Sequence, residues 1–157
     1  MAEGAIMEIL LKKLFFLAAL AAWLLPLFHG EHSAFDGTWE IGRNEIGSQK
    51  QPDVFLQGHA TAWTYKVSGD EITMTNPAGA SYAAKLDGTE ARVTNSQSIT
   101  TVSVKILGTS TLEETHKRGR EVIGVLTMKV AADGRAAKAS YDDKLQKRTT
   151  EFNLIKQ

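Results

Sequence analysis

Between Trp63 and Leu154 this chain has a series of short runs whose apolar residues recur at every second position, and no long stretch after Phe35 carries the spacing of a helix. A period of two marks a half-buried strand, because successive side chains leave a strand on opposite faces. Trp63, Tyr65 and Val67 alternate with Thr64 and Lys66, and Ile72 and Met74 alternate with Thr73 and Thr75. Tyr82, Ala84 and Leu86 share a face, as do Val102, Val104 and Ile106, then Leu126, Met128 and Val130, then Phe152 and Leu154. Turn signals separate these runs: SGDE at 68–71, LDGT at 86–89, KRGR at 117–120 and ADGR at 132–135. Glycine there accepts the positive φ that tight hairpins need. The pattern predicts an all-β fold, an antiparallel up-and-down meander of roughly eight to ten strands from Thr38 to Lys156 that closes into a barrel.

One segment breaks the alternation. Residues 43–60, RNEIGSQKQPDVFLQGHA, are polar and carry Pro52, with only weak alternation near Val54 and Leu56. They read as a loop over one barrel end, and loops of this length in small domains commonly serve as lids or are mobile.

Residues 1–34 read as a separate unit. Lys12 and Lys13 precede Leu14–Phe28, an apolar run of fifteen residues that contains Pro26, and the small residues Gly30, Ser33 and Ala34 follow. A basic start, a short apolar helix and a small-residue region are the layout of a secretory signal peptide. A bilayer span takes about 20 apolar residues, so a cleaved signal helix is the expectation and an N-terminal membrane anchor the alternative. Met1 and Met7 are both candidate starts, and the cleavage point stays open, because Phe28 and His32 occupy the −3 positions for cuts after Gly30 and Ala34. Residues 35–157 then form a single domain, secreted or periplasmic, with no stable membrane span after cleavage.

Cysteine is absent, so neither a disulfide nor a lipidated cysteine supports the domain, and a packed core must. Of 18 basic and 18 acidic residues, removal of Lys12 and Lys13 with Glu3, Glu8 and Glu31 leaves 16 and 15. That balance argues against nucleic acid or an anionic membrane surface as the main partner.

The mature domain opens on SAFDGTWEIG, residues 33–42. Gly37-Thr38-Trp39 on the first strand of such a meander resembles the G-x-W signature of lipocalins and other calycins. With AKLDG at 84–88 and VAADGR at 130–135, the F-x-G-T-W start is similar to a group of small secreted bacterial lipocalin-like β-barrel proteins of unassigned function. The resemblance spans nearly the whole mature chain. It implies a lipocalin-like barrel in which Gly37 and Trp39 close one end, while Lys156 or Arg148 from the last strand lays a cation on the indole. It also puts a cavity for a small hydrophobic ligand ahead of a filled interior.

Little in the sequence points to catalysis. Of the four histidines, His29 and His32 fall in the signal region and His59 in the polar loop, while His116 shares a predicted strand face with Leu112 and Glu114. A zinc site needs three or four ligands, and Glu114 with His116 is only a pair, so EETHKRGR at 113–120 reads as an exposed hairpin end. Glu113 with Glu114, and Asp142 with Asp143, read as solvated charge, because neighbours on a strand face opposite ways. Neither a nucleophile elbow nor a phosphate-cradling glycine loop occurs. No catalytic residue, metal or cofactor is expected, and the protein does not read as an enzyme.

The expected inner face mixes Trp63, Tyr65, Tyr82, Tyr141 and Phe152 with the small Ala84, Ala137 and Ala139. Together with His116, these aromatics are the candidates for a ligand cavity. The same mixture also serves simply to fill the taper of a small barrel. The expected function is binding or carriage of a small hydrophobic molecule outside the cytoplasm. One alternative is a packed envelope module that presents Val54, Phe55 and Leu56 on its rim to a protein partner. The other is a cavity-based hydrolase or isomerase using Glu114, His116 and Tyr65, which requires His116 to point inward.

Overall fold

The computed structural model describes residues 33–42 and 62–157. The signal segment up to residue 32 and the whole 43–60 loop, with His29, His32, His59 and the Val54–Leu56 rim, lie outside the described residues. Ten strands follow one another: β1 (Gly37–Ile41), β2 (Ala62–Ser68), β3 (Glu71–Thr75), β4 (Ser81–Lys85), β5 (Asp87–Arg92), β6 (Thr101–Leu107), β7 (Thr111–Arg118), β8 (Glu121–Val130), β9 (Ala136–Asp143) and β10 (Arg148–Lys156). They form one antiparallel sheet in the order β4-β3-β2-β1-β10-β9-β8-β7-β6-β5, so every strand pairs with its sequence neighbours except across β4 and β5, the two sheet edges, and the first pairs with the last. The predicted all-β meander is therefore present, as a nearly closed barrel, and no helix occurs among the described residues.

Closure is incomplete at one seam. Between β4 and β5 the Ser81–Thr94 bridge is the one backbone pairing, with reciprocal N–H···O bonds of 3.2 and 2.8 Å and a hydroxyl contact of 2.7 Å. The other end of this seam is the Asp87-Gly88 turn, where Thr89 N–H donates to the Asp87 carboxylate at 2.8 Å.

The alternation sorts the side chains as expected. Trp63, Tyr65, Ile72, Tyr82, Ala84, Val102, Val104, Leu126, Met128, Phe152 and Leu154 are all buried, while Thr64, Lys66 and Lys105 are exposed. The four predicted turns carry positive φ at Gly69, Gly88, Gly119 and Gly134, and a fifth, at Gly108, joins β6 to β7. In β8 the adjacent apolar residues Val122 and Ile123 left the inner face open in the sequence. A bulge resolves it: Lys117 pairs with Val122 and His116 with Gly124, so Ile123 is the extra residue. Ile123 and Gly124 both turn inward, and Val122 stays 36 % exposed. An inserted residue shifts the pleat by one, which is how two consecutive positions come to face the core.

One end of the barrel is plugged. Trp39 is fully buried, and its indole N–H donates to the Phe35 carbonyl at 2.8 Å. Lys156, its register partner on β10, lays Nζ 4.8 Å from the indole centre and donates to the Ala34 carbonyl at 3.1 Å. Arg148, the other expected cation, starts β10 at the opposite end, in register with Asp143. Gly37 adopts a φ of +117°, and the Lys156 stem lies 3.4 Å from where a Cβ would stand, so both backbone and space favour glycine. Asp36 fastens the entering chain, accepting from Val67 N–H at 2.6 Å and Ser33 N–H at 3.1 Å.

Candidate functional site

The inward face of β7 carries Leu112, Glu114 and His116 at alternate positions, each with at most 3 % of its surface exposed. Residues 118–120 form the expected exposed hairpin end, but the reading fails for His116 and for Glu114 as solvated charge. The strand's own period explains the correction. Once Leu112 faces the core, residues 114 and 116 must follow it, whatever their polarity. Val104 and Leu126 flank Glu114, and Val102 and Gly124 flank His116, so neighbouring strands offer the polar groups only apolar cover.

Compensation comes from across the barrel. Tyr65 on β2 and Tyr82 on β4 both donate their hydroxyls to Glu114 Oε1, the Tyr82 bond measuring 2.6 Å. His116 Nε2 lies 2.9 Å from Glu114 Oε2. One carboxylate thus braces β7 against two strands that are not its neighbours in the sheet. Burial works against the charged form of Glu114, yet the bonds from His116, Tyr65 and Tyr82 outweigh it and hold the carboxyl below its ordinary range. Tyr65 and Tyr82 move the opposite way, pushed well up by burial and by the Glu114 charge. Burial likewise raises Tyr141, with the negative charges of Asp143, Glu114 and Asp142 adding to it.

An ionised carboxylate can only accept, so the Nε2 that faces it carries the proton. Nδ1 is then the remaining polar atom of the ring, buried and without a hydrogen-bond partner among the described residues. Behind the ring stands Tyr141, its centroid 5.7 Å from that of His116 at 39° between planes. The Tyr141 hydroxyl occupies the space that a Cβ on Gly124 would need, so the bulge glycine makes room for the aromatic that backs His116.

A cavity of about 50 Å³ adjoins this cluster. Its polar wall is Tyr65, Tyr82, Glu114 and His116, and its apolar wall is Trp63, Met74, Val93, Ile99, Val102 and Leu126. Met74, Tyr82, Val102 and His116 sit towards one end of their strands, while Trp63 and Tyr65 are the register partners of Trp39 and Gly37, so the cavity wall adjoins the strand that carries the plug.

Four of the six expected cavity residues, Trp63, Tyr65, Tyr82 and His116, line this space. Tyr141 and Phe152 do not. Tyr141 is covered by His116, and Phe152 faces inward in register with Ala139 within the core. Sequence reasoning missed Val93 and Ile99 because they belong to the irregular 93–100 stretch between β5 and β6, where no period exists to assign a face. Asp143, also read as solvated, is 7 % exposed and accepts from the Leu145 and Gln146 N–H groups, both at 2.9 Å, which caps the β9–β10 turn. The expected trio of Glu114, His116 and Tyr65 does converge, and His116 does point inward. Among the described residues no three His, Asp or Glu side chains gather as a metal site.

Fold and site together define a nearly closed, ten-stranded antiparallel barrel with a carboxylate, an imidazole and two phenols set against a small interior space. No family model matches the sequence, and no curated protein matches it.

Proposed function

We propose that the protein is a lipocalin-like binding barrel, working in the periplasm or outside the cell, that takes a slender and mainly apolar molecule into the cavity beside His116. The observation that carries this reading is the buried Tyr65–Tyr82–Glu114–His116 cluster. A barrel whose interior serves packing alone is at least as stable with apolar residues in those places, because desolvating a charge is costly even when it is paired. Polar groups converging on an otherwise apolar cavity are the usual make-up of a small-molecule site. The cavity's 50 Å³ holds only a few water-sized groups, at about 10–15 Å³ for each. A chain enters end first; a bulky lipid does not fit. Polar outward residues such as Thr64, Lys66, Lys129 and Lys138 support a watery compartment around the barrel.

A second reading rests on the same atoms. Glu114 and His116 form the carboxylate–imidazole pair that orients a general base. No hydroxyl among the described residues donates to His116 Nδ1, so the pair lacks a paired nucleophile for acyl transfer. That favours binding over hydrolysis.

Native mass spectrometry of the protein, expressed with its N-terminal segment and purified from periplasm or medium, tests the proposal. The expected result is a small adduct released by organic solvent. The expected N-terminus lies at or before Ser33, because Ser33 and Ala34 are tied to Asp36 and Lys156. A bare mass that a panel of small alkanes, alcohols and phenols leaves unchanged would overturn the binding reading.

A further inference from the structure

We propose that His116 Nδ1 is the atom that recognises the ligand, and that the ligand is an unbranched primary alcohol bound hydroxyl first. This rests on the binding reading above and specifies its chemistry. Glu114 already accepts from Tyr65, Tyr82 and His116, so its oxygens are covered by the protein's own donors. Both phenol protons are committed to that carboxylate. Within the cluster Nδ1 is what remains: a ring nitrogen on the cavity wall, buried, with no partner among the described residues. The Trp63 indole N–H on the same wall is a donor directed to the Tyr65 hydroxyl. With Nε2–H turned to Glu114, Nδ1 of the neutral ring offers a lone pair and no proton. Its complement is a hydrogen-bond donor.

The rest of the wall narrows the donor's chemistry. Among the described residues no lysine or arginine lines the cavity, and the Glu114 charge stands on its wall, so a carboxylate ligand meets repulsion with no compensating cation there. An ammonium is drawn by the Glu114 charge and has protons for Nδ1. It must, however, shed its water in a mainly apolar space where that carboxylate is already covered, a cost that a neutral hydroxyl does not carry. A hydroxyl donates one bond and carries no charge. Size completes the argument: about 50 Å³ accepts the head of a narrow chain and refuses a branched or ring-bearing one. Met74 and Ile99, both only partly buried where they pack on the core, are the apolar surface along which the rest of such a chain lies.

The test is a titration of the protein, purified as the expressing cell processes it, with 1-hexanol, 1-methoxypentane, hexanoate and hexylammonium. Binding is read by calorimetry, and the His116 ring nitrogens are followed by ¹⁵N NMR. We expect 1-hexanol to bind about tenfold or more tightly than the ether of the same length, the equivalent of one buried hydrogen bond. The Nδ1 resonance should move upfield at saturation while Nε2 holds its position. Equal binding of alcohol and ether, or tighter binding of either ion, overturns the recognition role of Nδ1 while leaving the cavity a binding site. No binding by any of the four defeats this inference and the binding reading together.

Discussion

At the end where the described chain enters the barrel, Trp39 is fully buried, its indole N–H is bonded to Phe35 and its ring lies under Lys156. Across the barrel interior a second buried set, Glu114, His116, Tyr65 and Tyr82, borders a cavity and leaves His116 Nδ1 without a partner among the described residues. The first arrangement uses local contacts: the plug, its acceptor and its cation come from the first and last strands and the turn before them. The second reaches across the barrel from β7 to β2 and β4. A stopper needs only to exclude water, so neighbours suffice. A site has to hold groups in mutual geometry around an empty volume, and only opposite walls can do that.

The largest effect that separates the two arrangements is expected from Trp39→Ala, which should cost about 3–5 kcal/mol in denaturant unfolding, as for other buried aromatics. A loss below about 1 kcal/mol would mean that the plug is not structural. Tyr82→Phe comes next. It removes one donor to a buried charge, worth about 1.5–3 kcal/mol, and should leave the Trp39 end unchanged in its near-ultraviolet dichroism.

The same variant sharpens the pH behaviour. Glu114 has its folded pKa held below the ordinary 4.5, so its contribution is fully present above that value and is lost as pH falls through the folded one. Tyr65 and Tyr82 are raised above 10.0, so their contribution is present below pH 10 and is lost as pH rises further. The contribution of these three groups should therefore be constant between these limits. In Tyr82→Phe the acid limb should begin at higher pH, because one of the bonds that depress Glu114 is gone. An acid limb identical to that of the parent would show that the bond does not set the Glu114 charge.

Gly124→Ala attacks the site without touching any residue on its wall. The added methyl runs into the Tyr141 hydroxyl, and overpacking of this kind costs about 1–3 kcal/mol. Displacement of the His116 ring, read from its NMR shifts, should accompany the loss. The smallest change is Lys156→Gln, expected at about 0.5–1 kcal/mol for a cation on an indole face. If it exceeds Tyr82→Phe, the comparison between the two arrangements is reversed.

The sequence carried the barrel well, because alternation and turn glycines are local signals and the strands obey them from Trp63 to Leu154. It also placed Trp39, Gly37 and Lys156 together, through the resemblance of the opening strand. Two strands were poorly legible. β5 has only Ala91 as an apolar side chain and packs at the seam, so it has little periodicity to read. β7 keeps its period but gives two of its inward positions to Glu114 and His116, which by composition look solvent-facing. What identifies them as interior is the pair of phenols on β2 and β4, a partnership that exists only once the meander has closed. Tyr65, Glu114 and His116 were nominated as a set, but their bonds to one another were beyond anything that spacing along the chain encodes. Ile123 was ambiguous for a related reason: a bulge is a property of two strands, and β8 alone does not show it.

The seam between β4 and β5 gives the site a mechanical character. Along this line the wall is held by the Ser81–Thr94 bridge at one end and the Asp87-Gly88 turn at the other. A tube slit lengthwise bends far more easily than an intact one. Tyr82 and Val93, both on the cavity wall, stand one residue from the two members of that bridge. The wall of the site nearest the slit is thus fixed by one backbone rung, its hydroxyl contact and the Asn95 amide on the Gly79 carbonyl, whereas the rest of the wall is fixed by continuous ladders.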